Sequence, residues 1–173
     1  MTYRLQVDES VRDGIRRVID EQINSAIENL SERDEDIEKS IHETRKCFKK
    51  IRAVLRLCRN ELYAVYSDEN QWFRDAGRRL SGYRDITATL EALGKLRETM
   101  EEDVDAVVFD EAANFLQQKR LQITQENSQV AEEMKSLVAD LKKKQQEIEI
   151  LPLYAADDFN ALKDGLRRTY KRG

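Results

Sequence analysis

Apolar residues recur at three- and four-residue steps from Val11 through Ile15, Val18, Ile19, Ile23, Ala26 and Ile27 to Leu30. This spacing predicts an amphipathic helix over 8–31, with Asp8 or Ser10 as its cap. The acidic run 31–36 reads as a connection, and a second helix is predicted from about Asp34 to Tyr66. The segment Ser-Asp-Glu-Asn at 67–70 then supplies a stop and a new cap. The third helical region places Trp72, Ala76, Leu80 and Tyr83 on its core face, followed by Ile86, Leu90 and Leu93. Ser81–Gly82 is its expected point of interruption, because Gly costs about 1 kcal/mol inside a helix. Gly94 predicts a helix end and a polar loop over 94–105. A fourth helix is predicted over roughly 106–149, with Phe109, Ala113, Leu116, Ile123, Val130, Met134, Leu137, Leu141 and Ile148 as its apolar positions. Its thinly apolar middle, 122–129, is where a kink or an exposed stretch is expected. Pro152 closes this element, and a last helix is expected over roughly 156–172. Nothing reads as strand. The prediction is all-α: an up-and-down four-helix bundle over 1–151 with an additional C-terminal helix.

Composition agrees. Among 173 residues there are 6 Gly and 1 Pro, against 37% charged side chains. So few turn formers cannot serve the tight connections of a sandwich, a barrel or a multi-strand α/β sheet, since ordinary chains hold roughly 12% Gly plus Pro. Cys47 and Cys58 fall on one predicted helix roughly 16 Å apart, too far to bridge. Neither has a second Cys or His at ligand spacing, so reduced core thiols are expected and no metal or cofactor is implied. The acidic runs Glu35-Asp36 and Glu101-Glu102-Asp103 fall in predicted loops with no His or Cys cluster beside them, which makes catalysis the least supported reading. No apolar run approaches the roughly 20 residues of a membrane span, and a cytoplasmic location is expected.

The formal net charge of −4 would argue against a polyanionic partner, but it hides an asymmetry. Residues 42–59 contain seven basic side chains against one acidic, Glu43. On a helical wheel, His42, Arg45, Lys46, Lys49, Arg52, Arg56 and Arg59 share an arc of about 140° that runs roughly 25 Å along the axis. Cys47, Phe48, Ile51, Val54, Leu55 and Cys58 lie opposite, with Ile41 and Leu57 as exceptions. A merely solvated face interleaves Glu with Lys to gain i,i+4 pairs, whereas this one sets like charges at i,i+4. Something must compensate: acids from neighbouring helices, or a polyanion.

The run His42-Glu-Thr-Arg45-Lys-Cys-Phe-Lys49-Lys50-Ile-Arg52-Ala-Val-Leu-Arg56-Leu resembles the signature of the CHAD domain, the conserved histidine α-helical domain. That signature has a His, then basic residues three, seven, eight and ten positions on, then an aliphatic and basic tail. The segment Arg78-Arg-Leu-Ser-Gly-Tyr-Arg84-Asp85 resembles the family's second landmark, an Arg-Asp pair after a short apolar turn. The segment 159–172, which contains Arg168, resembles the opening of the family's second half. The resemblance implies two pseudo-symmetric four-helix bundles with basic faces lining a groove. It implies that 152–173 begins the second bundle, so that about half of the family domain is present. It also implies binding of inorganic polyphosphate at His42, Arg45, Lys46, Lys49, Lys50, Arg52, Arg56, Arg59, Arg84 and Arg168. Association with polyphosphate granules or with a triphosphatase-type enzyme follows from the same likeness. One basic wall where the family has two implies weak binding by a single chain and tighter binding if two chains pair.

Physical chemistry points the same way. Polyphosphate is a flexible chain of charges without bases, so its binder needs Lys and Arg in a row and little else. A single-strand nucleic-acid binder would interleave aromatic platforms, and Phe48 lies on the apolar face. A histidine phosphotransfer module would place Lys-Gly soon after its His, and none follows His42. A plain protein-interaction bundle, its stripe neutralised by protein acids, is the remaining alternative.

Overall fold

The computed structural model describes residues 3–31, 37–99, 106–125, 127–153 and 159–171, with side chains described for these except 81–88, 106 and 120–129. The described residues form helices and no strand: α1 (Val11–Ser31), α2 (Ile37–Leu57), α3 (Tyr66–Arg79), α4 (Ser81–Thr99), α5 (Ala106–Gln125), α6 (Asn127–Glu149) and α7 (Asn160–Tyr170). Ser10 caps α1: its Oγ accepts the Asp13 N–H at 3.1 Å and donates to the Asp13 carboxylate at 2.7 Å. The helix therefore starts at Val11, three residues after Asp8, the other candidate cap.

α1 packs on α2 and α6, and α2 packs also on α3 and α7. The shared core draws Ile19 and Ile23 from α1, Phe48, Ile51 and Leu55 from α2, Phe73 from α3, and Leu137, Leu141 and Ile148 from α6. Burying such side chains stabilises by about 1.5–3 kcal/mol each, the dominant favourable contribution to this fold. Phe73 rather than Trp72 takes the deepest α3 position, 5.9 Å from the Phe48 ring, while Trp72 packs edge-on against Phe73 at 4.9 Å. α4 and α5 pair mainly with each other, and Phe109 is the one buried residue among their described side chains. Both cysteines are buried, free thiols; burial, with help from Glu61, pushes the Cys58 thiol up to about 12.

Three predicted boundaries are corrected. The second helix stops at Leu57, not Tyr66, and 58–65 form turns that reverse the chain so that α3 can return along α2. Single i→i+4 bonds persist there, from the N–H of Cys58 to Val54 and of Leu62 to Cys58, which keep both side chains in the core. Residues 67–70 are consequently the first turn of α3, where Asp68 and Glu69 favour the positive helix terminus. Gly94 does not end a helix: α4 runs on to Thr99 with open space around Gly94, so helical hydrogen bonding meets no steric objection there. The predicted break at Ser81–Gly82 falls at Leu80, between α3 and α4. The long fourth helix is divided into α5 and α6 within the stretch where a kink was expected.

The N-terminal segment is tied to this frame. Arg17 pairs with Glu9 at 2.6 Å and Glu21 at 2.8 Å and donates to the Arg4 carbonyl at 2.9 Å. The hydrogen bond from Arg17 lowers Glu9 to about 2. Further contacts tie α1 to α6 and the segment after it: Gln145 of α6 donates to Asp20 and Asn24, and Arg16 donates to the Leu151 carbonyl.

Candidate functional site

α2 buries its apolar stripe against α1 and α3, so its cationic face is carried along the outside of the α2–α3 hairpin. Arg45, Lys49 and Arg52 line a cleft of about 210 Å³ with Phe48 at its base, and Phe73, Arg74, Gly77 and Arg78 of α3 form the other wall. Of the two possible sources of compensation, acids from neighbouring helices or a polyanion, the first is thin at this cleft, where α3 contributes two more arginines. Among the described residues no carboxylate pairs with Arg45, Lys49, Arg52 or Arg56. Arg52 donates instead to the neutral Asn70 Oδ1 at 3.1 Å. Burial, then Arg56 and Arg74, and Arg78, pull its guanidinium below the ordinary arginine range. Arg45 Nη1 and Arg74 Nε are buried without a hydrogen-bond partner. Asp75 is the acid on this wall, 3.5 Å from Arg74 Nε and 3.4 Å from Arg78 Nη1.

The remaining predicted residues are distributed around this cleft. At one end His42 Nε2 stands 3.7 Å from Glu43, and Lys46 binds the same carboxylate at 2.9 Å. The hydrogen bond from Lys46 lowers Glu43, so this end of the stripe is locally answered. Lys50 turns to the N-terminal segment, its Nζ 5.7 Å over the Tyr3 ring and its carbonyl accepting the Tyr3 hydroxyl at 2.9 Å. Arg56 is exposed on α2, and its charge acts on both Arg52 and Tyr3. At the far end Arg59 and Arg168 meet in a second cleft. Arg84 lies on α4, and its side chain is outside the described residues.

Sequence reasoning missed Arg74 and Arg78. The run Arg74-Asp-Ala-Gly-Arg78-Arg79 reads as ordinary surface, yet its arginines divide between two neighbours. Arg79 turns to α6, pairing with Glu133 at 2.5 Å and Asp140 at 2.8 Å. Arg74 and Arg78, four residues apart on one face, turn to α2.

The C-terminal helix closes the far end. Asn60 donates to Asp164 at 2.8 Å and accepts from Arg168 at 3.0 Å. A Cβ on Gly165 would lie 2.1 Å from the Leu57 carbonyl oxygen, so only Gly allows α7 to touch the end of α2. Gly165→Ala is therefore expected to lift α7 off α2 at a cost of about 1–3 kcal/mol, in line with overpacking elsewhere. Limited proteolysis checks it: cleavage within 159–171 should accelerate while the α1–α2–α3–α6 core stays protected. Unchanged protection of α7 would contradict the docking.

The described residues are thus helices joined by turns, with a cation-lined cleft between α2 and α3. The family profile of the CHAD domain matches residues 17–173, and the chain belongs to that family. No curated protein and no solved structure matches it. Among the described residues no helix is long and apolar enough to cross a membrane, and no three His, Cys, Asp or Glu gather as a metal site.

Proposed function

We propose that the chain binds inorganic polyphosphate, without catalysis, by laying it along the α2 stripe and into the α2–α3 cleft. The observation that supports this best is the convergence of Arg45, Lys49, Arg52, Arg74 and Arg78 on one cleft whose α2 cations have no carboxylate partner among the described residues. Like charges held together cost free energy, and a phosphate chain supplies what the protein omits. CHAD domains are linked in general to polyphosphate binding, which agrees with the chemistry of the cleft. In this reading α1, α2, α3 and α6 form the first four-helix bundle of a two-bundle domain, and α7 begins the second. α3 gives the cleft its second wall, so one chain offers a two-sided site before any pairing of chains. A cytoplasmic polyphosphate granule, or a triphosphatase-type enzyme working on such chains, is the setting this proposal implies.

Salt titration of the affinity is the direct test. By analogy with single-stranded nucleic acids, each phosphate contact lowers the log–log slope by about 0.7. Engagement of five to seven cations predicts a slope of roughly −3 to −5 for long polyphosphate. Duplex DNA of equal charge should compete poorly, because a rigid helix cannot enter the cleft. A slope near zero, or equal competition by DNA, would overturn the reading.

A further inference from the structure

The cleft at the far end of α2 has a different chemistry from the one between α2 and α3. Arg59, Asn60, Tyr63, Tyr66, Ser67 and Arg168 line a space of about 540 Å³, within the range of small-molecule sites. Two guanidinium groups stand here with two phenol rings. Arg59 is stacked 5.2 Å over the Tyr66 ring, which fixes its plane. Arg168 is fixed by Asn60, which Asp164 orients in turn from its other amide end. Its Nη2 is nonetheless shielded from solvent and without a hydrogen-bond partner. A charged donor left unpaired is costly, and a small turn of the guanidinium into the cleft it lines would give this one a phosphate oxygen as acceptor. Tyr63 stands beside it with 89% of its surface exposed. An inorganic phosphate chain has no use for an exposed aromatic face, whereas every nucleobase stacks on one.

We propose that this cleft binds a nucleoside oligophosphate, with the base on Tyr63 and the phosphates between Arg59 and Arg168. The site goes beyond the polyphosphate reading: it borrows Arg59 from the end of the stripe and Arg168 from α7, but none of its lining residues belongs to the α2–α3 cleft. Its two arginines supply the charge, and Tyr63 supplies selectivity for a ligand with a base over one without.

Calorimetric titration with ATP, inorganic tripolyphosphate and adenosine tests this at one fixed salt concentration. ATP is expected to bind about tenfold more tightly than tripolyphosphate, the lower part of the range for one stacked base. Tyr63→Ala should abolish that ratio, and Tyr63→Phe should preserve it, because stacking needs the ring and not the hydroxyl. Tyr63 is exposed on a turn, so neither variant should alter the melting temperature. Arg168→Gln should weaken ATP and tripolyphosphate alike. Equal affinity for ATP and tripolyphosphate, an unchanged ratio in Tyr63→Ala, or adenosine binding as tightly as ATP would each overturn the proposal. The double variant Lys49→Ala/Arg52→Ala separates the two sites: it should lose long polyphosphate and keep ATP. Loss of ATP binding in that variant would also count against a separate site.

Discussion

Lys144→Ala should lower the stability of the fold by about 3–5 kcal/mol, the usual cost of breaking a buried ion pair from one side. Lys144 is only 8% exposed, between α3 and α6. Its ammonium donates to Glu69 Oε1 at 3.2 Å, binds Glu147, and lies 5.2 Å over the Trp72 ring. Glu69 is itself buried, and its Oε2 already lacks a hydrogen-bond partner. Removing the lysine leaves that carboxylate with neither water nor a counter-charge. The double variant Lys144→Met/Glu69→Leu should recover most of the loss, because apolar side chains of similar volume fill the same space without a desolvation penalty. Trp72 is the single tryptophan, so its fluorescence in a denaturant titration reports on this contact directly. Equal midpoints for the wild type and Lys144→Ala would mean that the pair contributes nothing.

The same cluster fixes the sign of an alkaline effect. Burial pushes the Lys144 ammonium down, but the hydrogen bond to Glu147 and the charge of Glu69 more than offset it, and the net shift is upward. A lysine raised in the folded state contributes stability that is fully present below the ordinary lysine value, 10.5, and is lost as pH rises through the folded value. Unfolding midpoints should therefore fall on the alkaline side in the wild type. In the double variant that dependence should be flatter.

Lys144 also shows where sequence reading succeeds and where it stops. The triplet Lys142-Lys143-Lys144 looks like a solvated patch, and replacing both Lys143 and Lys144 would seem a harmless control for charge. The periodicity held a warning: Leu137, Leu141 and Ile148 mark the core face of α6, and position 144 falls on it. The stripe on α2 was legible because seven cations and an opposing apolar face occupy one helix, where geometry follows from number alone. Arg74 and Arg78 were not, because facing α2 depends on how the chain reverses through 58–65. The end of α2 at Leu57 was hidden for a related reason. No Gly or Pro stands there, and the backbone packed against that end, at Gly165, is more than a hundred residues away. Local pattern dictates faces; long-range contacts dictate which faces meet.

Arg74→Ala/Arg78→Ala should weaken polyphosphate binding by about 2–4 kcal/mol, at roughly 1–2 per charge-assisted contact, or about 30- to 1000-fold. These residues lie outside the signature on α2, so the result isolates the second wall of the cleft. Folding should be nearly unaffected, since Arg74 forgoes a loose ion pair with Asp75 while Arg52 is relieved of two like charges. Lys142→Ala/Lys143→Ala is the appropriate control, because both side chains are exposed on α6 away from the cleft. It should change affinity less than twofold, and an equal loss there would reveal only diffuse attraction. Asp75→Asn carries the opposite sign. It removes the carboxylate that stands between Arg74 and Arg78, so it should tighten polyphosphate binding and steepen the salt dependence. A double-mutant cycle between Arg52 and Arg74 then measures whether one phosphate segment touches both walls. Coupling of about 0.5 kcal/mol or more means that it does, whereas strict additivity would place the ligand on α2 alone.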